Sequence, residues 1–320
     1  MKKPKPLVSV GLTTYNRGKL LSRAIKKILA QSYQNIEIVI ADDGSTDNTQ
    51  IICERYVKKD RRIRYFRHAQ NVGMNKNYTF ALSKSRGEYF IWAADDDEWG
   101  KNYLETLVEL LMKYPQAVVA ASQCLFFSPT KHLVISVNAP SYTKPPHSIK
   151  LFLRYEVLIL YGLTRTKALQ STGGYMSYPW PIPTGIGETV HMFRLLLSGG
   201  VAFVPRILWK KQDTGHAMDP FEVLRSLQLS SDVLFRIKRY LLFPLLILYE
   251  ITILTNDTLH SHHNMKDKFH LLHSVLTYNL FKISNISSNM VRGLYTLLSS
   301  IIRQIILAPF RNHVPKSNRL

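Results

Sequence analysis

Two acidic clusters contain the residues of this chain that are best suited to chemistry. One occupies residues 42–47, with the sequence Asp-Asp-Gly-Ser-Thr-Asp, and the other occupies residues 94–97, with the sequence Ala-Asp-Asp-Asp. Carboxylates that lie close together repel each other unless a cation is bound between them. Hard divalent cations such as Mg2+ and Mn2+ prefer oxygen ligands and are often shared with the phosphates of a substrate. The clusters therefore indicate a site for a divalent cation and a phosphorylated ligand.

Each cluster directly follows a short apolar segment, Ile36–Ala41 in one case and Tyr89–Ala93 in the other. Apolar, β-branched runs that end in Asp and Gly are typical of buried strands that stop at a turn. Both clusters are therefore predicted at the carboxyl ends of strands, the edge at which open α/β sheets bind ligands. The alternative for either cluster alone is a solvated loop or a helix cap. Two clusters in equivalent positions make this the weaker interpretation.

The elements around the clusters alternate between strand and helix patterns. Further strands are predicted at Leu7–Thr13 and Ile63–Phe66, and a helix is predicted at Gly18–Ala30. Apolar residues at helical spacing predict three more helices, around Ile52, Tyr78 and Leu107. Strands that alternate with helices predict parallel βαβ units, and hence an α/β fold with a mostly parallel sheet flanked by helices.

Four segments form a more specific pattern when they are taken in order along the chain. They are the strand and turn at 8–16, the acidic run at 42–47, Asn71–Gly73, and the segment 87–97. This ordered set, which covers residues 1–115, resembles the family 2 glycosyltransferases, which have a GT-A fold. The resemblance implies an inverting transfer of a sugar from a nucleotide-sugar, usually with Mg2+ or Mn2+ bound.

The resemblance also implies which residues bind the donor. The nucleotide would be held by Thr14, Tyr15, Asn16, Asp43, Asn71 and Asp96. Within this set Tyr15 would stack on the base, and Asp43 would reach the uracil or the ribose. Asp96 and Asp97 match the family's Asp-x-Asp-like motif, in which Asp97 would be the metal ligand.

A transferred sugar also requires a base on the acceptor side, because the attacking hydroxyl must lose its proton. The family places an acidic pair at the start of a helix, and the matching segment here is Gly185–Thr189. Glu188 occupies the first position of the pair, but Thr189 replaces the second carboxylate. Glu188 is thus the predicted catalytic base. The alternative is that Glu188 only stabilises the helix dipole, and that another residue or the substrate itself supplies the base.

The predicted acceptor-binding residues lie before that helix, and a second basic region lies after it. By resemblance to the family's acceptor loop, Gly174 and Tyr175 would contact the acceptor. Trp180 is the candidate platform on which an acceptor sugar would stack, and the alternative is that its Pro-rich loop packs on the core. Lys211 and His216 follow a later strand pattern, where the family carries a basic or histidine residue near the diphosphate. His216 is assigned with Asp97 to the metal site.

The composition restricts the partners of the chain. Its 320 residues carry a formal net charge of +20 and two cysteines, too few for a disulfide framework and suited to a reducing cytosol. Seven of the 22 acidic residues fall in or beside the two clusters, where they would repel a nucleic-acid backbone, and no nucleic-acid-binding motif is present. An anionic membrane surface, a nucleotide-sugar donor and a glycan or lipid-linked acceptor explain the charge more simply.

The sequence predicts a catalytic domain at 1–220, with a donor half at 1–115 and an acceptor half at 116–220, followed by a helical, basic, amphipathic region at 221–320. In that last region the apolar run 241–249 is shorter than the roughly 17–25 residues that span a bilayer. Its basic flanks, and the helical apolar spacing from Met290 to Ile305, favour peripheral contact with the inner face of the cell membrane. The alternative to membrane contact is that residues 221–320 form a helical cap on the catalytic domain. No signal-peptide pattern is seen, so a cytoplasmic catalytic domain is expected.

Two other functions fit parts of the sequence. Thr189 in the acidic pair leaves open a catalytically silent module that binds a nucleotide-sugar or a glycan. A sugar nucleotidyltransferase would need a Gly-rich, basic phosphate loop after the first strand, and residues 11–18 match such a loop poorly.

Overall fold

The structure is a computed structural model that describes residues 4–127, 132–135, 139–154, 159–173, 185–212, 251 and 254–283. The strands are β1 (Val8–Thr14), β2 (Ile36–Asp42), β3 (Ile63–Arg67), β4 (Tyr89–Ala93), β5 (Glu98–Trp99), β6 (Ala117–Phe127), β7 (His132–Ile135), β8 (Tyr142–Thr143), β9 (Leu163–Arg165) and β10 (Gly200–Gln212). The helices are α1 (Gly18–Leu29), α2 (Thr49–Lys59), α3 (Met74–Ser83), α4 (Tyr103–Lys113), α5 (Pro145–Arg154), α6 (Thr166–Ser171), α7 (Gly185–Ser198) and α8 (Met265–Ile283).

The ten strands of the described residues form one sheet in the order β3-β2-β1-β4-β9-β6-β10-β5, with β7 beside β6 and β8 beside β10. The pairs β1–β2, β1–β4, β2–β3 and β6–β10 are parallel. The short strand β9 lies antiparallel between β4 and β6, so β1 to β4, β6 and β10 all run in one direction. The predicted α/β fold with a mostly parallel sheet flanked by helices is confirmed.

The central strands are covered on both faces. Every residue of β2 is buried, and β1 is buried at all but one position, as expected for parallel strands with helices on either side. Helix α1 turns Leu21, Ile25 and Ile28 into the core. Gly11 of β1 is required by a close approach, because a β-carbon there would lie 2.5 Å from the ring of Phe90.

The register brings both acidic clusters to one edge of the sheet. Thr14, the last residue of β1, pairs with Asp42, the last residue of β2. On the other side of β1, Leu12 pairs with Ala93, so Asp95 lies two positions further along and close to the level of Thr14. Because the strands are parallel, the turns that follow β1, β2 and β4 meet at their carboxyl ends, as the sequence predicts.

Strand β10 is long and irregular. It is one continuous strand that shifts register against β6 between Val204 and Trp209. Pro205 interrupts the pattern at a bulge and not at a turn, since proline is tolerated in sheets where ladder hydrogen bonds are already broken. The continuous strand carries Lys211 to the edge that holds the acidic clusters.

Residues 254–283 pack on the catalytic region. Leu254, Leu271 and Val275 are buried in the same hydrophobic core as the sheet, and α8 lies against α5. Asp257 pairs with Arg194 of α7 at 2.8 Å. This part of the C-terminal region is therefore a helical cap. The boundary predicted at residue 220 and both predicted membrane-contacting segments, 241–249 and 290–305, lie outside the described residues.

None of the helices within the described residues combines the length and the hydropathy that crossing a bilayer requires.

Candidate active site

Asn16 fastens the turn after β1 to the acidic run 42–47. It has a positive φ of 54°, which asparagine adopts more readily than most residues. Its side-chain oxygen accepts hydrogen bonds from the backbone N–H groups of Thr46 at 2.7 Å and Asp47 at 3.3 Å. The Asn16 N–H in turn donates to Ser45 Oγ at 2.9 Å. The predicted contact of Asn16 with a nucleotide stays a prediction, while its role in fixing the two loops is visible.

Asp42, the first carboxylate of the cluster, serves the fold. It is fully buried, and it accepts hydrogen bonds from the Ser45 N–H at 2.9 Å and the Tyr65 hydroxyl at 2.6 Å. Burial, together with the hydrogen bond to Asp42, raises the pKa of Tyr65. With both oxygens engaged by the chain, Asp42 holds the turn in shape.

Asp43 and Asn71, both predicted to bind the nucleotide, are brought together. The buried Asp43 carboxylate accepts hydrogen bonds from the N–H groups of Val72 at 2.7 Å and Gly73 at 3.2 Å. The side-chain oxygen of Asn71, which is exposed, accepts a hydrogen bond from the same Gly73 N–H at 3.0 Å. The turn depends on Gly44, whose φ is +75° and where a β-carbon would lie 2.7 Å from the Gln70 backbone.

Thr14 and Tyr15 present two different surfaces at the same edge. Thr14 is buried, and its hydroxyl has no hydrogen-bond partner among the described residues. The Tyr15 side chain is 45% exposed. An unpaired buried hydroxyl beside an exposed aromatic ring is unusual for a loop that serves only the fold, since buried polar groups normally find partners. The pair suits a surface that receives a polar, planar ligand.

Arg17 joins the two acidic clusters. Its guanidinium pairs with Asp95 through Nε at 2.9 Å and donates through Nη2 to Asp96 at 3.0 Å. Burial raises the pKa of the Asp95 carboxyl to about 6; Arg17 opposes this increase and Asp96 adds to it. The sequence analysis missed Arg17, whose only signal is its position directly after the turn, and it included Asp95 only as a member of the second acidic cluster.

Asp97 is the carboxylate that most resembles a metal ligand. It is 5% exposed, and neither of its oxygens has a hydrogen-bond partner among the described residues. The Lys211 ammonium lies 3.7 Å from Oδ1. Burial raises the pKa of the Asp97 carboxyl to about 7; Lys211 opposes this increase, and Asp96 adds to it.

The residues around Asp97 fit a hard divalent cation. A buried carboxylate that accepts no hydrogen bond destabilises the fold unless a cation or a proton offsets its charge. Within the described residues no group of three or more His, Cys, Asp or Glu side chains is arranged to hold a metal ion. A cation held by Asp97 would therefore take most of its other ligands from a substrate or from water, as Mg2+ commonly does.

Lys211 is held between Asp97 and an aromatic ring. Its ammonium lies 4.2 Å from the centre of the Tyr161 ring, and its side chain is 21% exposed. Tyr161 comes from the segment just before β9, and no sequence signal pointed to it. Strand β10 positions Lys211 because β5, which directly follows Asp97, pairs with it through Glu98 and Lys210.

The remaining predicted site residues are only partly covered. Glu188 lies in the first turn of α7, as expected for the first member of the acidic pair, and its side chain is outside the described part of the structure. Gly174, Tyr175, Trp180 and His216 all lie outside the described residues.

A separate concavity of about 590 Å³ lies between the C-terminal end of α7 and the His-rich turn at 260–263. Two of the groups that line it are bonded within the chain: Arg194 pairs with Asp257, and His263 Nε2 lies 3.0 Å from the Leu197 carbonyl oxygen. None of the residues that line this concavity belongs to either acidic cluster, so it is not part of the acidic site.

A family model and two curated relatives match this chain. Residues 9–165 match the family model described as Glycosyl transferase family 2. The chain is 33% identical over 165 residues to the putative colanic acid biosynthesis glycosyl transferase WcaA of Escherichia coli K12, covering 49% of this chain and 56% of that protein. It is 39% identical over 106 residues to the GalNAc(5)-diNAcBac-PP-undecaprenol beta-1,3-glucosyltransferase of Campylobacter jejuni, covering 32% and 34%. The chain thus matches less than two thirds of either relative's length.

The fold is shared with a solved structure. The crystal structure of residues 1–349 of S. aureus TarS in complex with UDP-GlcNAc matches with a TM-score of 0.62 and 18% identity, over 85% of this chain and 72% of that one. At this identity the likeness is one of fold, and it confirms the predicted GT-A architecture. Residues 9–165 therefore belong to glycosyl transferase family 2, and the chain has a GT-A fold.

Proposed function

We propose that this protein is a metal-dependent, inverting glycosyltransferase that moves a sugar from a nucleotide-sugar to a hydroxyl of a cell-surface glycan or lipid-linked acceptor. The observation that carries the proposal is the buried Asp97 carboxylate, which has no hydrogen-bond partner among the described residues and lies at the ligand-binding edge of a family 2 fold. A UDP-sugar is the first donor to test, because the resemblance implies a uracil contact at Asp43.

The donor nucleotide would lie over the loops that Asp43 ties together. Tyr15 offers an exposed ring for stacking on the base, and the unpaired Thr14 hydroxyl offers a hydrogen-bonding group beside it. Asp43 keeps acceptor capacity beyond the two backbone N–H groups it already binds, since a carboxylate has about four lone-pair sites. Asn71 and Asp96 complete the predicted pocket.

Asp97, with His216 as the second predicted residue, would hold Mg2+ or Mn2+. Such an ion, when bound, stabilises the negative charge that grows on the leaving diphosphate. Burial of Asp97 strengthens this interaction, because electrostatic attraction is larger where water is excluded.

Glu188 would act on the acceptor side. The acceptor oxygen attacks the anomeric carbon, the bond from that carbon to the diphosphate oxygen breaks, and the acceptor proton passes to the Glu188 carboxylate. A single displacement of this kind inverts the configuration at the anomeric carbon. Proton transfer to a positioned carboxylate typically increases the rate about 100- to 10,000-fold. Gly174, Tyr175 and Trp180 are the proposed acceptor contacts.

A position at the inner face of the cell membrane is part of the proposal. The formal net charge of +20 favours an anionic surface. The name of the C. jejuni relative specifies an undecaprenol-linked acceptor, and the name of the E. coli relative specifies colanic acid biosynthesis. Both support an envelope glycan as the product of this chain.

A donor screen tests the proposal directly. Thermal unfolding is followed with Mn2+ and each of a set of UDP-, GDP- and dTDP-sugars, and the stabilising donor is then offered to candidate acceptors. A ligand at 100 times its dissociation constant adds about 2.7 kcal/mol to the free energy of unfolding, which such a screen detects. If no nucleotide-sugar raises the unfolding temperature with Mn2+ or Mg2+, the proposal is wrong.

The second candidate is a catalytically silent binding module, which the replacement of the second acidic residue by Thr189 favours. Slow hydrolysis of the stabilising donor in the absence of acceptor distinguishes the two, because a silent module hydrolyses none.

A further inference from the structure

We infer that Lys211 is an internal counter-ion that competes with the divalent metal for Asp97, so that metal binds tightly only when the donor diphosphate draws the ammonium away. The inference rests on the proposed function, because it needs a diphosphate donor and a metal at this carboxylate. It assigns to Lys211 a positioning role that controls the strength of metal binding.

The backbone holds Lys211 and Asp97 at a fixed separation. Glu98, the residue after Asp97, pairs with Lys210, the residue before Lys211, across the antiparallel β5–β10 ladder. The ladder therefore fixes the backbone of Asp97, which directly precedes β5, beside the backbone of Lys211. The sheet itself therefore determines that the two residues are neighbours.

The ammonium of Lys211 lies between Asp97 and Tyr161 and makes no hydrogen bond to Asp97. It lies 3.7 Å from Asp97 Oδ1, which is longer than a hydrogen bond, and 4.2 Å from the centre of the Tyr161 ring. Neither Asp97 oxygen has a hydrogen-bond partner among the described residues. Lys211 thus offsets the charge of Asp97 and leaves its lone pairs open to a cation.

A metal at Asp97 would lie close to this ammonium. Divalent cations bind carboxylate oxygens at about 2.0–2.6 Å, and the Lys211 nitrogen lies only 3.7 Å from the nearer oxygen. Two like charges at such a separation repel strongly where little water screens them. In the absence of a donor, metal affinity is therefore reduced by repulsion from the neighbouring ammonium.

The donor removes this conflict. A diphosphate carries negative charge that attracts the ammonium, and the flexible four-carbon stem of lysine lets the charge move a few ångströms without a change in the backbone. Each ligand then favours the other, and the coupling is reciprocal by thermodynamic necessity. Arg17 does not share this role, because its guanidinium is engaged by Asp95 and Asp96.

The test measures Mn2+ affinity by electron paramagnetic resonance, with and without UDP, in the full chain and in Lys211→Met. The UDP arm is corrected by a titration of UDP with Mn2+ in the absence of protein. We expect Lys211→Met to bind Mn2+ about 10-fold more tightly than the wild type without UDP, and UDP to enhance its Mn2+ affinity about 10-fold less. Lys211→Arg, which keeps the charge, should retain most of the coupling.

Lys210→Met is the matched control, because it removes the same charge from the residue directly before Lys211. Lys210 is exposed. Side chains of successive strand residues point to opposite faces of the sheet, so that of Lys210 points away from the face that Lys211 occupies. Its Mn2+ affinity should equal that of the wild type. The inference is overturned if Lys211→Met binds Mn2+ no better than the wild type without UDP, or if Lys210→Met shows the same gain.

The same measurements distinguish a failure of the proposed function from a failure of the inference about Lys211. A wild-type protein that binds neither UDP nor Mn2+ in any combination overturns both the function and the inference. A wild type that binds Mn2+ in a UDP-dependent manner, beside a Lys211→Met protein of unchanged metal affinity, overturns the inference alone. Circular dichroism of each variant, together with a second neutral variant, Lys211→Gln, ensures that a change in affinity is not caused by unfolding.

Discussion

Arg17 donates a hydrogen bond from Nη2 to the carboxylate of Asp96 at 3.0 Å, across 79 residues of sequence. The same guanidinium pairs with Asp95, so a single cation ties the turn after β1 to the turn after β4. Three consecutive carboxylates at one strand end would otherwise repel each other. Arg17 and Lys211 divide the compensation, one serving Asp95 and Asp96 and the other Asp97.

Replacing Arg17 by methionine tests this division. Asp95 is 6% exposed, so loss of its partner leaves a buried charge uncompensated at pH 8, where it is ionised. We expect Arg17→Met to lower the free energy of unfolding by about 1 kcal/mol, a value kept small because the Arg17 side chain is 43% exposed. The loss should shrink at pH 5, because the pKa of Asp95 is about 6 and the protonated carboxyl needs no cation. Urea denaturation at both pH values measures it, and Lys19→Met, on the exposed surface of α1, is the control.

Asp97→Asn is expected to abolish metal-dependent donor binding while the fold stays intact. Asparagine keeps the size of the side chain but removes the charge that a hard cation requires. Isothermal titration of the stabilising donor with and without Mn2+ measures the effect. Glu98→Gln, which removes the next carboxylate from a position paired with Lys27, should bind donor and metal normally. Retained metal dependence in Asp97→Asn would show that Asp97 is not the ligand.

The metal-free protein should be more stable near pH 5.5 than at pH 8. The pKa values of Asp95 and Asp97 are raised to about 6 and about 7 in the folded state, from 3.8. The folded state therefore binds these protons more tightly, and the free energy of unfolding increases as the pH falls through 7 and 6. Below about pH 4.5 the trend reverses, because Glu37 and Asp60 have lowered pKa values and lose their favourable interactions on protonation.

Urea denaturation in EDTA measures this dependence. The contribution of Asp97 between pH 8 and pH 5.5 is roughly 2 kcal/mol, so Asp97→Asn should lose most of the increase and be more stable than the wild type at pH 8. A wild-type protein whose stability is flat or falls over this interval would contradict the raised pKa values.

Membrane contact is best tested by removing residues 284–320. A longer deletion would also remove α8, whose Leu271 and Val275 belong to the core, and would confuse detachment with unfolding. The segment 284–320 contains five basic residues and no acidic ones, together with the apolar spacing from Met290 to Ile305. We expect the full chain to float with anionic liposomes and the deletion variant to float much less, with zwitterionic liposomes as the control. A full chain that floats with neither kind of liposome would leave the C-terminal region as a cap only.

The parts of the fold that sequence could predict are those with local causes. The strands before both acidic clusters are runs of apolar residues ended by Asp, and both are found where they were predicted. The position of β9 between β4 and β6 had no such signal, because a strand of three residues is defined by its neighbours and not by its own pattern. The same holds for β10, where Pro205 marks a bulge that only the pairing with β6 explains.

The site was predictable by residue type but not by role. Asp42 and Asp43 are adjacent and identical in chemistry, yet Asp42 is enclosed by Tyr65 and Ser45 while Asp43 reaches the loop at Val72. Contacts across 23 to 30 residues decide the difference, and composition or spacing cannot encode them. Tyr161, which holds the Lys211 ammonium, is an aromatic residue of the kind that sequence assigns to the core.

Glu188, the predicted catalytic base, lies in the first turn of α7. Glu188→Gln keeps the size of the side chain and removes the proton acceptor. If Glu188 is the base, turnover should fall by at least about 100-fold, while donor affinity changes little because the proposed donor contacts are Asp43, Asp97 and the metal. Glu188→Asp should restore only part of the rate, because the carboxylate retreats by one methylene and the geometry of proton transfer is demanding.

Steady-state transfer kinetics beside donor titration separate the base from the helix-dipole alternative. A carboxylate that only stabilises the helix start would cost about 0.3–1 kcal/mol of stability on removal and leave turnover nearly normal. Near-normal turnover in Glu188→Gln would therefore end the assignment, and a joint loss of donor binding and turnover would indicate a structural role. Thr189→Asp restores the family's acidic pair. We expect it to show no gain greater than about 10-fold, because a site that works with one carboxylate has no use for a second charge beside the first.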